Sequence, residues 1–334
     1  MSKILLFIAV AFVFAGCSSK KYFEPKETFS ASSASNSYSD IIIDISRDGA
    51  TLKSGNYIGK AGKVNIKLGD GYRFLNENSS YVLAGNAEGL LKIIDKNTKI
   101  KRQVKFSVPV VSATVQGDII AYVLNNNTFG LYSISSDKKL AQSRSERTFA
   151  INTKAANPMF IDSLAVMPML DGKLIIVNGQ DTENAKVVYI SSSKVFNNVL
   201  YLSRSDNTMV AATPKKLIAL GPEGKKEYSA NISDVSIADS YIYLFTKEGA
   251  VLKFDTLLNE MQKKKFDFAY FSASAAFNGK VFALDQQGSL IVLNSNLTKH
   301  KIYDVGEVGS PVFISGTKLY KDAKVIDLSR LTYE

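Results

Sequence analysis

Short strand–turn–strand units recur along this chain at a period near 40 residues. Residues 81–95 (YVLAGNAEGLLKIID), 242–255 (IYLFTKEGAVLKFD) and 281–294 (VFALDQQGSLIVLN) are three copies of one pattern. In each, two runs rich in Val, Ile, Leu, Tyr and Phe flank a short polar turn containing glycine. That composition is a β-hairpin, with glycine supplying the positive φ that a tight turn demands. Turn markers fall at Gly49, Gly89, Gly130, Gly172, Thr208, Gly249, Gly288 and Ala323. A unit near 40 residues holding about four strands is the repeat of a β-propeller blade. Eight markers predict an all-β propeller of eight four-stranded blades; because the first and last markers are incomplete, seven is the alternative. No stretch after Tyr38 keeps a helical period.

A second pattern alternates with the hairpins. Residues 107–111 (SVPVV), 158–163 (PMFIDS) and 310–316 (SPVFISG) are small-residue-rich strands suited to the crowded channel side of a blade. One blade cannot bury its own faces, so stacking supplies the core and the terminal units must close the ring. The run at residues 41–45 is expected to close it by pairing near residues 325–328.

The N-terminus reads as an address. Met1-Ser2-Lys3 is followed by eleven apolar residues and then Ala15-Gly16-Cys17. This is the layout of a secretory signal peptide, too short to span a bilayer. Phe14-Ala15-Gly16-Cys17 resembles a bacterial lipobox, with Phe14 where leucine is usual. The resemblance implies cleavage after residue 16, lipidation of Cys17 and, with Ser18 rather than aspartate next, export to the outer membrane. Residues 18–36 (SSKKYFEPKETFSASSASN) have the composition of a flexible tether. The expected divisions are a signal peptide at 1–16, a lipidated cysteine and tether at 17–37, and one propeller at 38–334.

The blades resemble PQQ-repeat propellers and, in order and spacing, the BamB family of outer-membrane lipoproteins. Residues 84–91 match that family's G-N-x-E-G hairpin, Pro109-Val110-Val111 with Gly117-Asp118 its inner strand, and residues 170–174 its D-N/D-G hairpin. The resemblance implies a non-enzymatic scaffold in outer-membrane β-barrel assembly, with a BamA-like insertase as partner. The family's contact loop corresponds to residues 147–157. It offers Phe149 and Ile151 as apolar anchors and Arg147 or Lys154 to pair with acids on the partner. The plain alternative for Phe149 and Ile151 is inter-blade core. The family's acidic pair falls near Val188 and Ile190, which cannot play that part; Asp181 and Glu183 lie just upstream. Quinoprotein propellers use tryptophan for blade docking and quinone stacking, and this chain has no Trp. No cofactor is expected.

Composition narrows the chemistry further. One Cys and one His leave no material for an intramolecular disulfide or a Cys/His zinc cluster. No nucleophile elbow, P-loop or zincin motif occurs. His300, between lysines, reads as a solvated turn residue. Asp95, Asp255 and Asp327 follow the hairpins at equivalent places and read as Asx caps of turns. A formal charge of +10 is spread over lysine pairs on different blades, which suits edge protection better than nucleic-acid binding. A second functional class, a surface or periplasmic ligand- or glycan-binding lipoprotein, would be favoured by aromatics clustered at the channel mouth. A hydrophobic loop on one rim would favour the scaffold. The faces that Tyr201, Tyr270 and Phe271 occupy bear on this choice.

Overall fold

The structure, a computed structural model, describes residues 21–148, 154–179, 181–193 and 195–334. Among the described residues the strands form eight antiparallel four-stranded sheets arranged as a propeller, one sheet carrying a fifth strand. The inner strands of blades 1 to 8 are Ile42–Ile45, Arg73–Glu77, Val110–Gln116, Met159–Ile161, Tyr201–Ser205, Ile232–Ala238, Phe271–Phe277 and Phe313–Ser315. Inner strands of neighbouring blades touch around a central channel, as at blades 2 and 3 or 6 and 7. The small-residue strands predicted to face the channel do so.

The central strands of each blade are packed on both faces. This is why Ile119–Leu124 (IIAYVL), Tyr241–Thr246 (YIYLFT) and Ser289–Asn294 (SLIVLN) read as nearly continuous apolar runs rather than alternating ones. Core clusters lie between blades: Leu83, Leu91, Val110, Ala113, Ile120 and Tyr122 join blades 2 and 3. The outer strands are exposed and lysine-rich, as in Lys138–Arg144 (KKLAQSR) and Glu260–Lys265 (EMQKKK). Charge on an otherwise unpaired edge discourages strand addition.

The predicted period holds, but three markers are out of frame. The turn joining the second and third strands sits at Gly55, Gly89, Asn127, Gly172, Lys215, Gly249 and Gly288. At each, a backbone N–H from the connection to the next blade donates to that residue's carbonyl, at 2.8 to 3.2 Å. Gly49 instead ends the first hairpin of blade 1, Gly130 lies inside the strand Thr128–Ser133, and Thr208 opens the strand Thr208–Ala212. In blade 3 the left-handed turn residue is Asn127, at φ 65°, so a search for glycine misses it.

Gly288 shows why most of these turns are glycine. Its φ is 92°, and a Cβ there would lie 2.1 Å from the carbonyl oxygen of Gly306. Gly288→Ala is therefore expected to lower stability by about 2–4 kcal/mol, since strain and a backbone clash coincide. Urea unfolding checks this; a loss below about 1 kcal/mol would mean that the connection moves aside freely.

Ring closure differs from expectation. Ser35–Ser37 supplies the outer strand of blade 8, antiparallel to the strand Lys324–Asp327, and Tyr38 N–H donates to the Ala323 carbonyl at 2.8 Å. The run at 41–45 is instead the inner strand of blade 1, paired with Ala50–Leu52. A partner five residues away closes a far smaller loop than one nearly 300 residues away, so the local hairpin takes that run. Residues 29–37, grouped by composition with the tether, belong to the ring. Phe29–Ser30 adds in parallel to the outer strand of blade 7, and Ala31 and Ala34 are buried against a cluster that includes Val305, Leu328 and Leu331. The Ser/Ala bias there is small-residue packing as much as solubility.

Candidate functional site

Two places in the ring concentrate chemistry: the channel, and a cleft on the rim between blades 6 and 7. Five inner strands carry a register shift near their start, between Ile42 and Asp44, Phe74 and Asn76, Val110 and Ser112, Ile232 and Asp234, and Phe271 and Ala273. A bulge re-aims the residue that follows it. The residue after the shift is polar in four of the five.

Asp234 of blade 6 is the centre of a strut across the channel. Arg47, on the first turn of blade 1, donates from Nη1 to Asp234 Oδ1 at 2.6 Å and from Nη2 to the Val235 carbonyl at 3.2 Å. Lys154, on the connection from blade 3 to blade 4, donates to Asp234 Oδ2 at 2.7 Å. The Arg47 guanidinium also lies 4.7 Å from the centre of the Tyr201 ring of blade 5. The Asp234 side chain is only 11% exposed. Burial alone would raise its pKa; attraction to Arg47 and Lys154 and the hydrogen bonds from both outweigh burial and hold the carboxyl far below its usual range. Burial raises the Tyr201 phenol despite the opposing charge of Arg47. An aspartate held ionised by two cations is a structural tie and a poor proton carrier.

Amides tie the inner strands of blades 2 and 3 to each other and to the start of blade 1. Asn157 donates to Asp48 Oδ2 at 2.9 Å and accepts from Ala113 N–H at 3.3 Å. Asn76 donates to Thr114 Oγ1 at 2.9 Å, and Asn78 to the Val115 carbonyl at 3.2 Å. On one side of the strut lies a cavity of about 600 Å³ whose walls include Asp48, Lys60, Asn78, Gln116, Phe160 and Ser203. On the other is a space of about 110 Å³ against blades 7 and 8. The larger cavity presents hydrogen-bonding side chains to a ligand. Among the described residues, no three His, Cys, Asp or Glu side chains converge to hold a metal ion.

The rim cleft holds about 730 Å³ and is built by the connection at 265–270, the hairpin tips at 247–248 and 286–287, and Lys21 and Tyr22 of the N-terminal arm. Phe23 anchors the arm edge-on to Phe266, 5.8 Å between ring centres. Lys21 Nζ lies 5.4 Å from the centre of the Phe268 ring. Buried Asp285 accepts from the N–H of Tyr270 at 2.7 Å and of Gln287 at 3.1 Å, fixing the loop. Tyr22, Phe268 and Tyr270 are 46%, 56% and 50% exposed.

Of the residues singled out from sequence, Tyr270 is on the rim, Phe271 is core, and Tyr201 lies buried beside the strut. Arg147 is exposed where the connection leaves blade 3, whereas Lys154 is turned to Asp234. Phe149, Ile151 and Cys17 lie outside the described residues. Ile190 is core, packed with Ala156 and Met209. His300 opens the outer strand of blade 7 and meets Phe266 edge-on at 5.3 Å; burial and then Lys264 lower its pKa. Asp95, Asp255 and Asp327 each accept turn N–H groups, as their spacing predicted. Sequence reasoning missed Arg47 and Asp234. The available signal was the repeated apolar–x–polar start of the inner strands (IID, FLN, VVS, ISD).

Comparison with known proteins gives two kinds of likeness. No family model matches the chain. In sequence, it is 29% identical to plasminogen-binding protein PgbB of Helicobacter pylori over a 385-residue alignment covering the whole chain and 70% of that protein. The same protein of a second H. pylori strain aligns with equal identity and coverage. In structure, BamB from Moraxella catarrhalis superposes with a TM-score of 0.69 at 14% identity, over 87% of this chain and 98% of that one. The C-terminal WD40 domain of Sif2 gives 0.63 at 11%, over 88% and 98%. The fold is an eight-bladed β-propeller of the kind BamB has.

Proposed function

We propose that this chain is a non-enzymatic, lipid-anchored binding propeller of the outer membrane that holds a protein ligand at the cell envelope. The observation that carries this reading is the 29% likeness running through the whole chain to a protein named for binding plasminogen. The geometry supports it. The channel is crossed by a strut whose carboxylate is held ionised as a structural tie, and beside it lies a polar mouth. The test is binding of plasminogen to the purified full-length lipoprotein on a sensor surface. Saturable binding supports the reading; a flat response at micromolar plasminogen removes plasminogen as the ligand.

A second reading, an accessory scaffold in barrel assembly, is favoured by the superposition on BamB and by exposed Arg147 on the corresponding loop. In it, Phe149 and Ile151 would enter a groove on a BamA-like partner while Arg147 pairs with its acids. Co-purification of a barrel insertase with the membrane-anchored protein, lost in Phe149→Ala/Ile151→Ala, would select this reading. Protease treatment of intact cells separates the two placements, since only a surface-displayed ring is cut. In both readings Cys17→Ser should release the protein from the outer-membrane fraction. Unchanged fractionation would remove the anchor.

A further inference from the structure

We infer that the cleft between blades 6 and 7 is a membrane-docking surface that seats the ring against a phospholipid bilayer, with Phe268 and Tyr270 at the lipid interface. This inference rests on the reading of Cys17 as the lipidated residue.

The first argument is chain length. A tether running to residue 36 would let the ring wander some 25 Å from the bilayer, on the usual coil scaling. The structure removes most of that freedom, because residues 21–37 are laid on the ring. Phe23 packs on Phe266, Phe29–Ser30 pairs with Tyr303 and Asp304, and Ser35–Ser37 closes blade 8. Only residues 18–20 separate Cys17 from Lys21, and four extended residue steps span at most about 14 Å. The acyl chains therefore enter the bilayer beside the cleft that Lys21 and Tyr22 help to form.

The second argument is chemistry. Tyrosines, with an apolar ring and a polar hydroxyl, beside an exposed phenylalanine and flanking lysines are what a membrane interface accepts. Tyr22, Phe268 and Tyr270 stand half exposed around the cleft. Phe268 has φ 67°, an uncommon conformation for a bulky residue, and the loop is held by the Asp285 bond to Tyr270 N–H and by Gln286 N–H donating to the Tyr270 carbonyl at 2.9 Å. The rings are thus presented by a preformed loop. Lys21, Lys247, Lys264 and Lys265 on the cleft walls face exposed Glu24, Glu248 and Asp267, one of which is paired with Lys265 at 3.0 Å. With Asp285 on the wall, four acids balance the four lysines, so insertion of the rings should carry the docking and salt should weaken it little.

The arrangement also orients the molecule. Within each blade, antiparallel order puts the blade-to-blade connections and the second-to-third turns on one face and the other hairpins on the opposite face. Seating the 265–270 connection on the bilayer leaves the hairpin face, with Asp48, Asn78 and Gly117 on the wall of the larger cavity, turned away from it.

The absence of tryptophan makes the test clean. Phe268→Trp, and Ile100→Trp as a control at a residue 60% exposed on blade 2, would each be made in the full lipoprotein and reconstituted into phosphatidylethanolamine–phosphatidylglycerol vesicles. Half of the samples would carry brominated acyl chains, and thermal melts would confirm that both variants fold. The expected result is a blue-shifted emission at position 268, with more than half of it quenched by bromine, and an unshifted, unquenched signal at position 100. The N-terminal peptide mass reports acylation of Cys17 independently. Acylated protein with no quenching at 268, or equal quenching at both positions, overturns the docking and leaves the anchor standing. An unacylated Cys17 overturns both. A blue shift at 268 that depends on protein concentration and not on lipid assigns the cleft to a second copy of the chain and overturns the inference.

Discussion

Deleting residues 21–37 while keeping the signal peptide and Cys17 should lower the melting temperature of the whole ring by about 10 °C. The lost segment supplies the outer strand of blade 8, the added strand on blade 7, and the cover given by Ala31 and Ala34. A handful of backbone hydrogen bonds at about 1 kcal/mol each, plus re-exposed apolar surface, amounts to about 5 kcal/mol. For a domain of this size each kcal/mol is worth about 2 °C. The loss should be cooperative, because blade 8 joins the two ends of the ring. Ser315 Oγ of its inner strand donates to carbonyls of blade 1, and Tyr38 packs edge-on to Tyr320 at 5.3 Å. A peptide of residues 21–40 added in excess should restore part of the lost stability. A melt unchanged by the deletion would show that blade 8 closes the ring without its fourth strand.

That closure marks where sequence reading stopped. The period was legible because each unit must present apolar strands to two neighbours and turn sharply at the same places. The frame was not fully legible, because Asn127 and Lys215 serve where other blades use glycine, and Gly130 and Thr208 have other roles. The Asx caps at Asp95 and Asp255 could be foreseen, since they depend on residues two to four positions away. The strut could not: Arg47 and Asp234 are 187 positions apart, and nothing local to either names its partner. The rim cleft was hidden for the same reason, being assembled from an arm, a connection and two hairpin tips. Composition misplaced residues 29–37, since Ser and Ala suit both a solvated tether and a tight edge.

Asp234→Ala should be the most damaging single substitution in the channel. It removes the one carboxylate that Arg47 and Lys154 share and leaves two cations facing each other with little solvent access. Taking one partner from a buried ion pair costs about 3–5 kcal/mol, which for this ring is about 6–10 °C in melting temperature. Arg47→Met on that background should recover a good part of the loss, since it removes an uncompensated charge and keeps apolar contact with Tyr201. Acid titration gives an independent reading. The Asp234 carboxyl is held below its ordinary range in the folded ring, whereas in the unfolded chain it titrates near 3.9. Its stabilising effect is therefore complete above about pH 4 and is lost as the pH falls toward the folded value, because the unfolded chain takes up the proton first. Between pH 5 and 3 the wild type should lose stability more steeply than Asp234→Asn, which has no carboxylate to protonate. Parallel slopes for the two, or an Asp234→Ala ring as stable as wild type, would show that Arg47 and Lys154 are solvated through the cavity beside them and that the strut holds nothing together.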